Sequence, residues 1–312
     1  MFEIINERDA MSELHTMDLA PSAQRAILYA PEVAFDRPVP RIPAAIFRLE
    51  RAIAFDPITP TGFVEMDQSD VLGCAWPATT PALLARYIVI RAGDSFRHNL
   101  ASSGQVYHVL RGTGFTDCGE ERFSWERMDS FCLPGGTDVE LGSAGGAILL
   151  VISNEPELSY LRASANAGSQ QAIRPTLFRR VSVLQELDKV HGRHTEQRAA
   201  GKSVVLLTEL MATRRLTTPT MLCAINSLEP GGDQRPHKHS SAALTLSIDG
   251  DGVHTMVDGV EIAWEPDTLI VTPPFAVHSH HNRGSAMMRS FVAQDTGLYT
   301  EMRSVSFAWT DV

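Results

Sequence analysis

The feature that most constrains the fold of this chain is an internal repeat of short apolar strands with no helices between them. The copies begin near residues 86 and 204 and pass through the same features in the same order. An acidic glycine turn (RAGDS; EPGGD) is followed by a histidine, then by an apolar strand ending in Gly-x-Gly (RGTG; DGDG). A Trp with an acidic residue (WERMD; WEPD) and an apolar strand running into proline (FCLPGG; IVTPPF) complete each copy. This pattern predicts two copies of one antiparallel β-barrel module.

The rest of the chain is arranged around these two barrels. Residues 1–60 carry scattered charges and several prolines with weak periodicity, so we expect an N-terminal arm with room for a short helix. We place the first barrel at 61–165 and the second at 203–312. Between them, residues 166–202 turn polar and lose alternation, which predicts a partly helical linker. The predicted fold class is therefore all-β, and the length of 312 residues suits two domains.

Charge and hydropathy exclude several classes of protein. The 27 basic and 37 acidic residues give a net charge of -10, and no Lys/Arg run could neutralise a row of phosphates, so we expect no nucleic-acid partner. Apolar stretches such as 147–152 are far shorter than the roughly 20 residues of a membrane span, and the acidic N-terminus is unlike a signal peptide. The four cysteines are widely spaced, with no CxxC pair, which is typical of reduced structural thiols. We therefore expect a cytoplasmic protein without membrane contact.

Histidines crowd the second copy, where six of the eleven lie within 237–281. Alternate side chains of a strand share a face, so His237 and His239 can point together into the barrel. His278 and His280 form a second pair with the same spacing. A third ligand from a separate strand would complete a three-nitrogen set with open coordination positions, as in reactive non-haem metal sites. Single pairs of this kind are often structural, but two pairs within one barrel repeat predict a metal site that takes His237, His239 and a third histidine from the second pair.

These segments also carry a family resemblance. The stretches GGDQRPHKHSSAALTLSIDGDG and PPFAVHSHHN resemble the two cupin motifs, except that the usual Glu after the first histidine pair is absent. This three-histidine version resembles the gentisate, salicylate and 1-hydroxy-2-naphthoate dioxygenases, which are bicupins that use Fe(II). The resemblance covers about 85–162 and 204–300. It implies that His237, His239 and His278 are the metal ligands. It also implies two cupin (double-stranded β-helix, jelly-roll) barrels, and a first copy that is degenerate and metal-free.

The resemblance further implies an oxidoreductase that performs extradiol-type ring cleavage on a hydroxylated aromatic or related enolisable compound with O2. Fe(II) is the expected cofactor, although three imidazoles also suit Mn, Ni, Cu or Zn. Two alternatives stay open. One is a cupin lyase, hydrolase or isomerase that uses a divalent metal as a Lewis acid. The other is a non-catalytic cupin that binds a small molecule. We expect a homodimer or homotetramer in each case.

Substrate contacts are predicted from the family pattern and its departures. The Arg that holds the substrate carboxylate in those dioxygenases is replaced here by Thr245, and a Gln is replaced by Asn226. Thr cannot act as the planar cationic partner of a carboxylate. Either the substrate lacks that carboxylate, or another cation binds it, for which the candidates are Arg289, Arg235 and Lys238.

Two further residues complete the predicted site. We expect His280 to act as an acid/base or hydrogen-bond donor to substrate or oxygen; the alternative is that it only fixes the orientation of a neighbouring ring. Phe275 is predicted to wall an aromatic pocket. In the first copy, His98 and Val139 stand near two of the metal positions, and one histidine cannot hold a catalytic metal. That copy is expected to support packing and subunit contacts.

Overall fold

The computed structural model describes residues 21–30, 40–165, 171–192 and 201–310. Contacts divide the chain into two units, Met1–Pro40 and Arg41–Val312. No helix in the described ranges is long and apolar enough to span a membrane. The first unit contains helix α1. The described helices are α1 (Pro21–Gln24), α2 (Arg48–Phe55), α3 (Ser69–Leu72), α4 (Glu155–Leu161), α5 (Arg180–His191) and α6 (Thr296–Glu301), with a 3₁₀ helix at Glu209–Arg214.

Two groups of antiparallel strands form the second unit. The first ten strands are β1 (Ala45–Ile46), β2 (Gly62–Glu65), β3 (Leu84–Ile90), β4 (Ser95–His98), β5 (Gly104–Cys118), β6 (Glu121–Glu126), β7 (Ser130–Pro134), β8 (Val139–Gly142), β9 (Ala147–Ser153) and β10 (Thr176–Phe178). The remaining strands are β11 (Lys202–Leu206), β12 (Leu222–Leu228), β13 (His237–His239), β14 (Ala243–Asp249), β15 (Val253–Val257), β16 (Val260–Ala263), β17 (Leu269–Thr272), β18 (His278–Asn282), β19 (Met288–Gln294) and β20 (Phe307–Trp309).

The first barrel is built from strands β2 to β10. Its sheet has the order β10-β7-β5-β9-β3-β2, and β4, β6 and β8 pair at its side. The interior is filled by large side chains, with Tyr107, Trp125 and Phe131 each 2% exposed or less. This interior is packed as densely as other protein cores.

The second barrel consists of two facing sheets. The six-stranded sheet has the order β1-β17-β14-β19-β12-β11, and the five-stranded sheet has the order β16-β15-β18-β13-β20. Strand β1, from the segment predicted as an arm, pairs with β17, where Ala45 lies opposite Val271. Strand β20 places the described C-terminal end beside β13.

The two barrels share one core. Strand alternation directs Leu244, Leu246 and Phe291 of the six-stranded sheet into the same buried cluster as Tyr87 and Leu150 of the first barrel. The opposite face of that sheet faces the interior of the second barrel. Both faces are therefore shielded, which explains why its central strands read as nearly continuous apolar runs.

The structure confirms the all-β prediction of two barrels joined by a partly helical segment. Helix α5 lies in the predicted linker 166–202, where β10 also forms. The predicted arm 1–60 includes α1, β1 and α2. The domain boundaries proposed from the sequence stay predictions, because the contacts treat 41–312 as one unit.

Candidate metal centre

Strands β13 and β18 bring three histidines together at one end of the second barrel. His237 lies directly opposite His278 in the strand register, and His239 follows two residues later on the same face. The ligand-capable nitrogens of His237, His239 and His278 all lie within 4.8 Å of one another. All three side chains are buried. Within the described parts of the chain, no other cluster of His, Cys, Asp or Glu could hold a metal.

Hydrogen bonds orient each of these imidazoles in the same way. Nδ1–H of His237 donates to the carbonyl of Arg235 at 3.0 Å, and Nδ1–H of His278 donates to that of Ala276 at 2.9 Å. His239 Nδ1–H donates to the carbonyl of Ser241 at 2.9 Å. Because a carbonyl can only accept, Nδ1 carries the proton and Nε2 keeps its lone pair. Three lone pairs on neutral rings are the donor set that a divalent transition metal needs.

Burial keeps these rings neutral. It lowers the pKa of His237, and it lowers the pKa of His239 to about 4, with the neighbouring His237 adding to the effect. The pKa of His278 falls to about 2 through burial and the nearby rings of His237 and His239. Protons therefore do not compete with a metal for these nitrogens at neutral pH. The set of three imidazoles suits Fe(II), and it also suits Mn, Ni, Cu and Zn.

His237 and His239 of the cluster line a cavity of about 430 Å³ inside the second barrel. The face of the six-stranded sheet that points away from the shared core lines one side, and β13, β18, the 3₁₀ helix and the C-terminal segment line the rest. Besides His237 and His239, the lining includes the side chains of Asn226, Arg214, Arg215, His280, Gln294 and Phe307.

Gln294 and His280 place hydrogen-bonding groups next to the cluster. The side-chain amide of Gln294 donates to Nε2 of His239 at 3.3 Å, so a metal at Nε2 would replace this contact. His280 is 7% exposed and its Nδ1 lies 2.8 Å from the hydroxyl oxygen of Thr255. Burial lowers the pKa of His280 to about 3, with a further contribution from His237.

Two aromatic side chains of the C-terminal strand β20 pack against the ring of His237. Phe307 stacks on its ring with the centroids 5.1 Å apart, and Trp309 meets it edge-on at 5.9 Å. The guanidinium of Arg235 lies over the Trp309 ring at 4.9 Å. Phe307 also lines the cavity, so β20 supplies both a wall of the pocket and a support for a metal-site histidine.

Of the four predicted substrate residues, one lines the cavity and three do not. Asn226 lines it. Thr245 is buried opposite Val292, which lines the cavity, but Thr245 itself does not line it. Arg289 is not brought to the cavity, because it lies on the opposite face of β19 and pairs with Asp249 at 3.3 Å. Phe275 is 57% exposed and also lies outside the lining.

The other two candidate cations, Lys238 and Arg235, are also absent from the cavity lining. Lys238 lies between two inward-facing histidines on β13, and strand alternation directs its side chain away from the barrel. The guanidinium of Arg235 packs over the ring of Trp309.

Sequence reasoning missed Arg214, Arg215, Gln294 and Phe307. Gln294 could have been found, because it follows Ser290 and Val292 at a spacing of two and so shares their inward face. The other three depend on a 3₁₀ helix and on a strand about 70 residues after β13, for which the sequence carries no local signal.

Comparisons with known proteins agree with this geometry. Residues 225–293 match the family model of the cupin domain. A gentisate 1,2-dioxygenase from Streptomyces sp is 40% identical over 65 residues, which is 21% of this chain and 18% of that protein. A 5-nitrosalicylic acid 1,2-dioxygenase from Bradyrhizobium sp is 27% identical over 129 residues, or 40% and 60% of the two chains. The chain thus spans less than two thirds of the length of either relative.

The fold comparison extends over the whole chain. The crystal structure of a salicylate 1,2-dioxygenase from Pseudaminobacter salicylatoxidans superposes with a TM-score of 0.71 at 11% sequence identity, covering 99% of each chain. At this identity the likeness concerns the fold. The cupin match includes Asn226, both strands of the cluster and all three histidines. Residues 225–293 are therefore a cupin domain, and the chain has the cupin fold seen in the salicylate 1,2-dioxygenase, with a stretch that is similar in sequence to a gentisate 1,2-dioxygenase.

Proposed function

We propose that this protein is an Fe(II)-dependent dioxygenase that opens the ring of a hydroxylated aromatic carboxylate with O2. The observation that carries the proposal is the cluster of three buried, neutral imidazoles, two of which line a cavity, with no carboxylate from the described residues in the ligand set. The names of the relatives, gentisate and 5-nitrosalicylic acid 1,2-dioxygenase, support the same class of reaction. A structural neighbour was also solved as an adduct with gentisate.

The charge of the site favours an anionic substrate. Three neutral imidazoles leave the charge of a divalent ion uncompensated, so a phenolate or enolate oxygen that replaces water would be favoured. Bound iron would supply electrons and open coordination positions for O2. The chain's own residues would hold the aromatic ring in the cavity, exclude bulk water and present His280 to its oxygen atoms.

Arg215 is the cation that we propose for the substrate carboxylate. Both Arg214 and Arg215 line the cavity, but Arg214 is paired with Glu301 at 3.0 Å. Arg215 makes no ion pair with the described residues. A guanidinium is the natural bidentate partner of a carboxylate, and this one would take over the role that Thr245 cannot perform.

Oxygen consumption tests the proposal directly. The protein is reconstituted with Fe(II) under anaerobic conditions and mixed with gentisate, salicylate and 1-hydroxy-2-naphthoate, and with hydroquinone and catechol as counterparts without a carboxylate. We expect O2 uptake and ring-opened product with at least one carboxylate-bearing compound. Protein loaded with Zn(II) is the control, since zinc has no accessible redox chemistry. Uptake no greater than this control across the panel would refute the proposal, and turnover without oxygen would favour Lewis-acid chemistry.

Two finer expectations accompany this function. We propose a cytoplasmic location, which is supported by four cysteines that are all free thiols: Cys74, Cys118, Cys132 and Cys223. We also propose a homodimer or homotetramer. Sedimentation analysis of the full-length chain would test the assembly.

A further inference from the structure

His280 shares β18 with His278, but its ring is held by a different kind of partner. Its Nδ1 lies 2.8 Å from the hydroxyl oxygen of Thr255, the residue directly opposite on β15. The indole Nε1–H of Trp264 donates to the same oxygen at 2.7 Å. Thr255 is only 1% exposed, so its hydroxyl proton has to be used within the protein.

These contacts fix the direction of the hydrogen bonds. An indole can only donate, so Trp264 occupies a lone pair of the Thr255 oxygen. No other acceptor for the Thr255 hydroxyl lies among the described residues, and the one arrangement that satisfies all three groups has Thr255 donating to Nδ1 of His280. Nδ1 is then the acceptor, and the ring proton sits on Nε2. This is the opposite tautomer to that of the three metal-site histidines, whose Nδ1–H groups donate to carbonyls.

We propose that Thr255, held by Trp264, is a positioning residue that fixes His280 as the Nε2–H tautomer, so that His280 presents a hydrogen-bond donor to the cavity. His280 lines the cavity, and no described residue bonds its Nε2. The group that this donor recognises is an anionic oxygen. That assignment rests on the proposed function, in which the oxygen belongs to the hydroxylated aromatic.

The first barrel contains the same arrangement without the histidine. Trp125 Nε1–H donates to the hydroxyl of Thr116 at 2.9 Å, and the two residues are nine apart, as are Trp264 and Thr255. Thr116 lies opposite Leu141 in the strand register, where the second barrel has His280. The Trp–Thr hydrogen bond is therefore a structural element of both barrels, and in the second barrel it also orients a histidine.

Nitrogen NMR tests the tautomer without any turnover. The full-length chain is labelled with ¹⁵N-histidine and loaded with diamagnetic Zn(II), and the signals of His280 are identified by their loss in His280→Asn. We expect Nδ1 of His280 at an unprotonated shift and Nε2 at a protonated shift. In Thr255→Val the two tautomers should mix, and Thr255→Ser should restore the wild-type spectrum.

Ligand binding supplies a second measurement. The probe is 4-nitrocatechol, whose absorbance reports its ionisation, titrated into the Zn(II)-loaded protein. We expect Thr255→Val to raise the Kd by roughly two- to tenfold, because a mixed tautomer halves the competent population and a loosened ring is less well aimed. Thr116→Val is the matched control, since it removes the equivalent hydroxyl from the first barrel and should leave the Kd unchanged. If Thr255→Val does not fold, Trp264→Phe replaces it, because this change frees the Thr255 lone pair and also permits both tautomers.

The outcomes separate this inference from the proposed function. A wild-type His280 with its proton on Nδ1, or variants at Thr255 and Trp264 that keep the wild-type spectrum and Kd, would overturn the positioning role. The positioning role is supported if wild-type His280 is the Nε2–H tautomer and Thr255→Val shows a mixture of both tautomers. This holds even if the protein binds no hydroxylated aromatic and consumes no O2. In that last case the proposed function fails and the positioning role stands.

Discussion

At the scale of single residues, the three Nε2 lone pairs determine whether the cavity holds a metal. His237→Ala removes one of them, and we expect metal affinity to fall by at least about 100-fold, because two ligands cannot complete the set. Metal content after dialysis and anaerobic titration measure this loss. His254→Ala is the control, since His254 stacks on His281 with centroids 4.8 Å apart and does not belong to the cluster. Retention of wild-type affinity in His237→Ala would contradict the assignment.

Arg215 gives a prediction about specificity. We expect Arg215→Ala to raise the KM for a carboxylate-bearing substrate by roughly 10- to 100-fold, the effect of losing one charged hydrogen-bond partner. The KM for the matching compound without a carboxylate should change little. Arg303→Ala is the control, because Arg303 pairs with Glu301 and does not line the cavity. Equal effects on both substrates would show that Arg215 does not bind the carboxylate.

Individual residues differ in how far the sequence could predict them. Alternation along a strand predicted which histidines point inward, since that depends only on a spacing of two. The hydrogen-bond partner of His280 could not be predicted in the same way, because the hydroxyl that meets its ring belongs to Thr255, 25 residues away. A shift of one residue along a strand moves a side chain to the opposite face. Arg289 therefore points away from the cavity, whereas its neighbour Ser290 lies on the cavity side of β19.

At the scale of elements, the short C-terminal strand β20 is expected to support the metal centre. A chain that ends at Arg303 lacks the rings that stack on His237 and one wall of the cavity. We expect its metal affinity to fall by about 10-fold, because the imidazole loses the packing that fixes its orientation. Anaerobic metal titration measures the change. Ala308→Ser is the control, since Ala308 lies opposite Lys238, whose side chain points away from the barrel. Normal metal affinity in the shortened chain would show that β20 does not support the metal centre.

The strands themselves were largely predictable, but their neighbours were not. The repeat of glycine turns and apolar runs predicted both barrels, and β13 and β18 form where the histidine pairs suggested. Strand β20 pairs with β13 across about 70 residues, and β1 pairs with β17 across more than 220. Two- and three-residue strands carry too little pattern to reveal such distant partners, because long-range contacts and not local propensity create them.

At the scale of the whole molecule, buried neutral histidines in both barrels make stability dependent on pH. Burial lowers the pKa of five of them to about 4 or below, including His98 and His108 in the first barrel. Between pH 6.5 and 4 the unfolded chain therefore binds more protons, and the free energy of unfolding falls as the pH falls. Burial raises the pKa of Asp267 to about 6 and that of Asp295 to about 7, which acts in the opposite direction but involves only these two carboxyls in the part of the chain that the structure describes. Urea unfolding of metal-free protein at pH 7, 6 and 5 measures the trend.

His108→Phe tests the origin of this dependence away from the metal centre. The ring of His108 stacks on Phe291 at 5.2 Å, and a phenyl ring can keep this contact while losing the proton site. We expect the slope of unfolding free energy against pH near pH 5 to decrease by about 1.4 kcal/mol per pH unit, the value for one proton. Loss of the hydrogen bond to Ser130 costs stability at neutral pH as well, so it does not produce this decrease in slope. An unchanged slope would show that His108 is not one of the responsible groups.

The core that the two barrels share determines what could be moved into another protein. The segment 225–293 supplies all three imidazoles, yet its Leu244, Leu246 and Phe291 are covered by side chains of the first barrel. Cut out alone, this segment would expose that apolar face to water and would associate through it, which would compete with formation of the cavity. A transplanted centre therefore has to bring the first barrel with it, or be given a host surface of matching apolar shape.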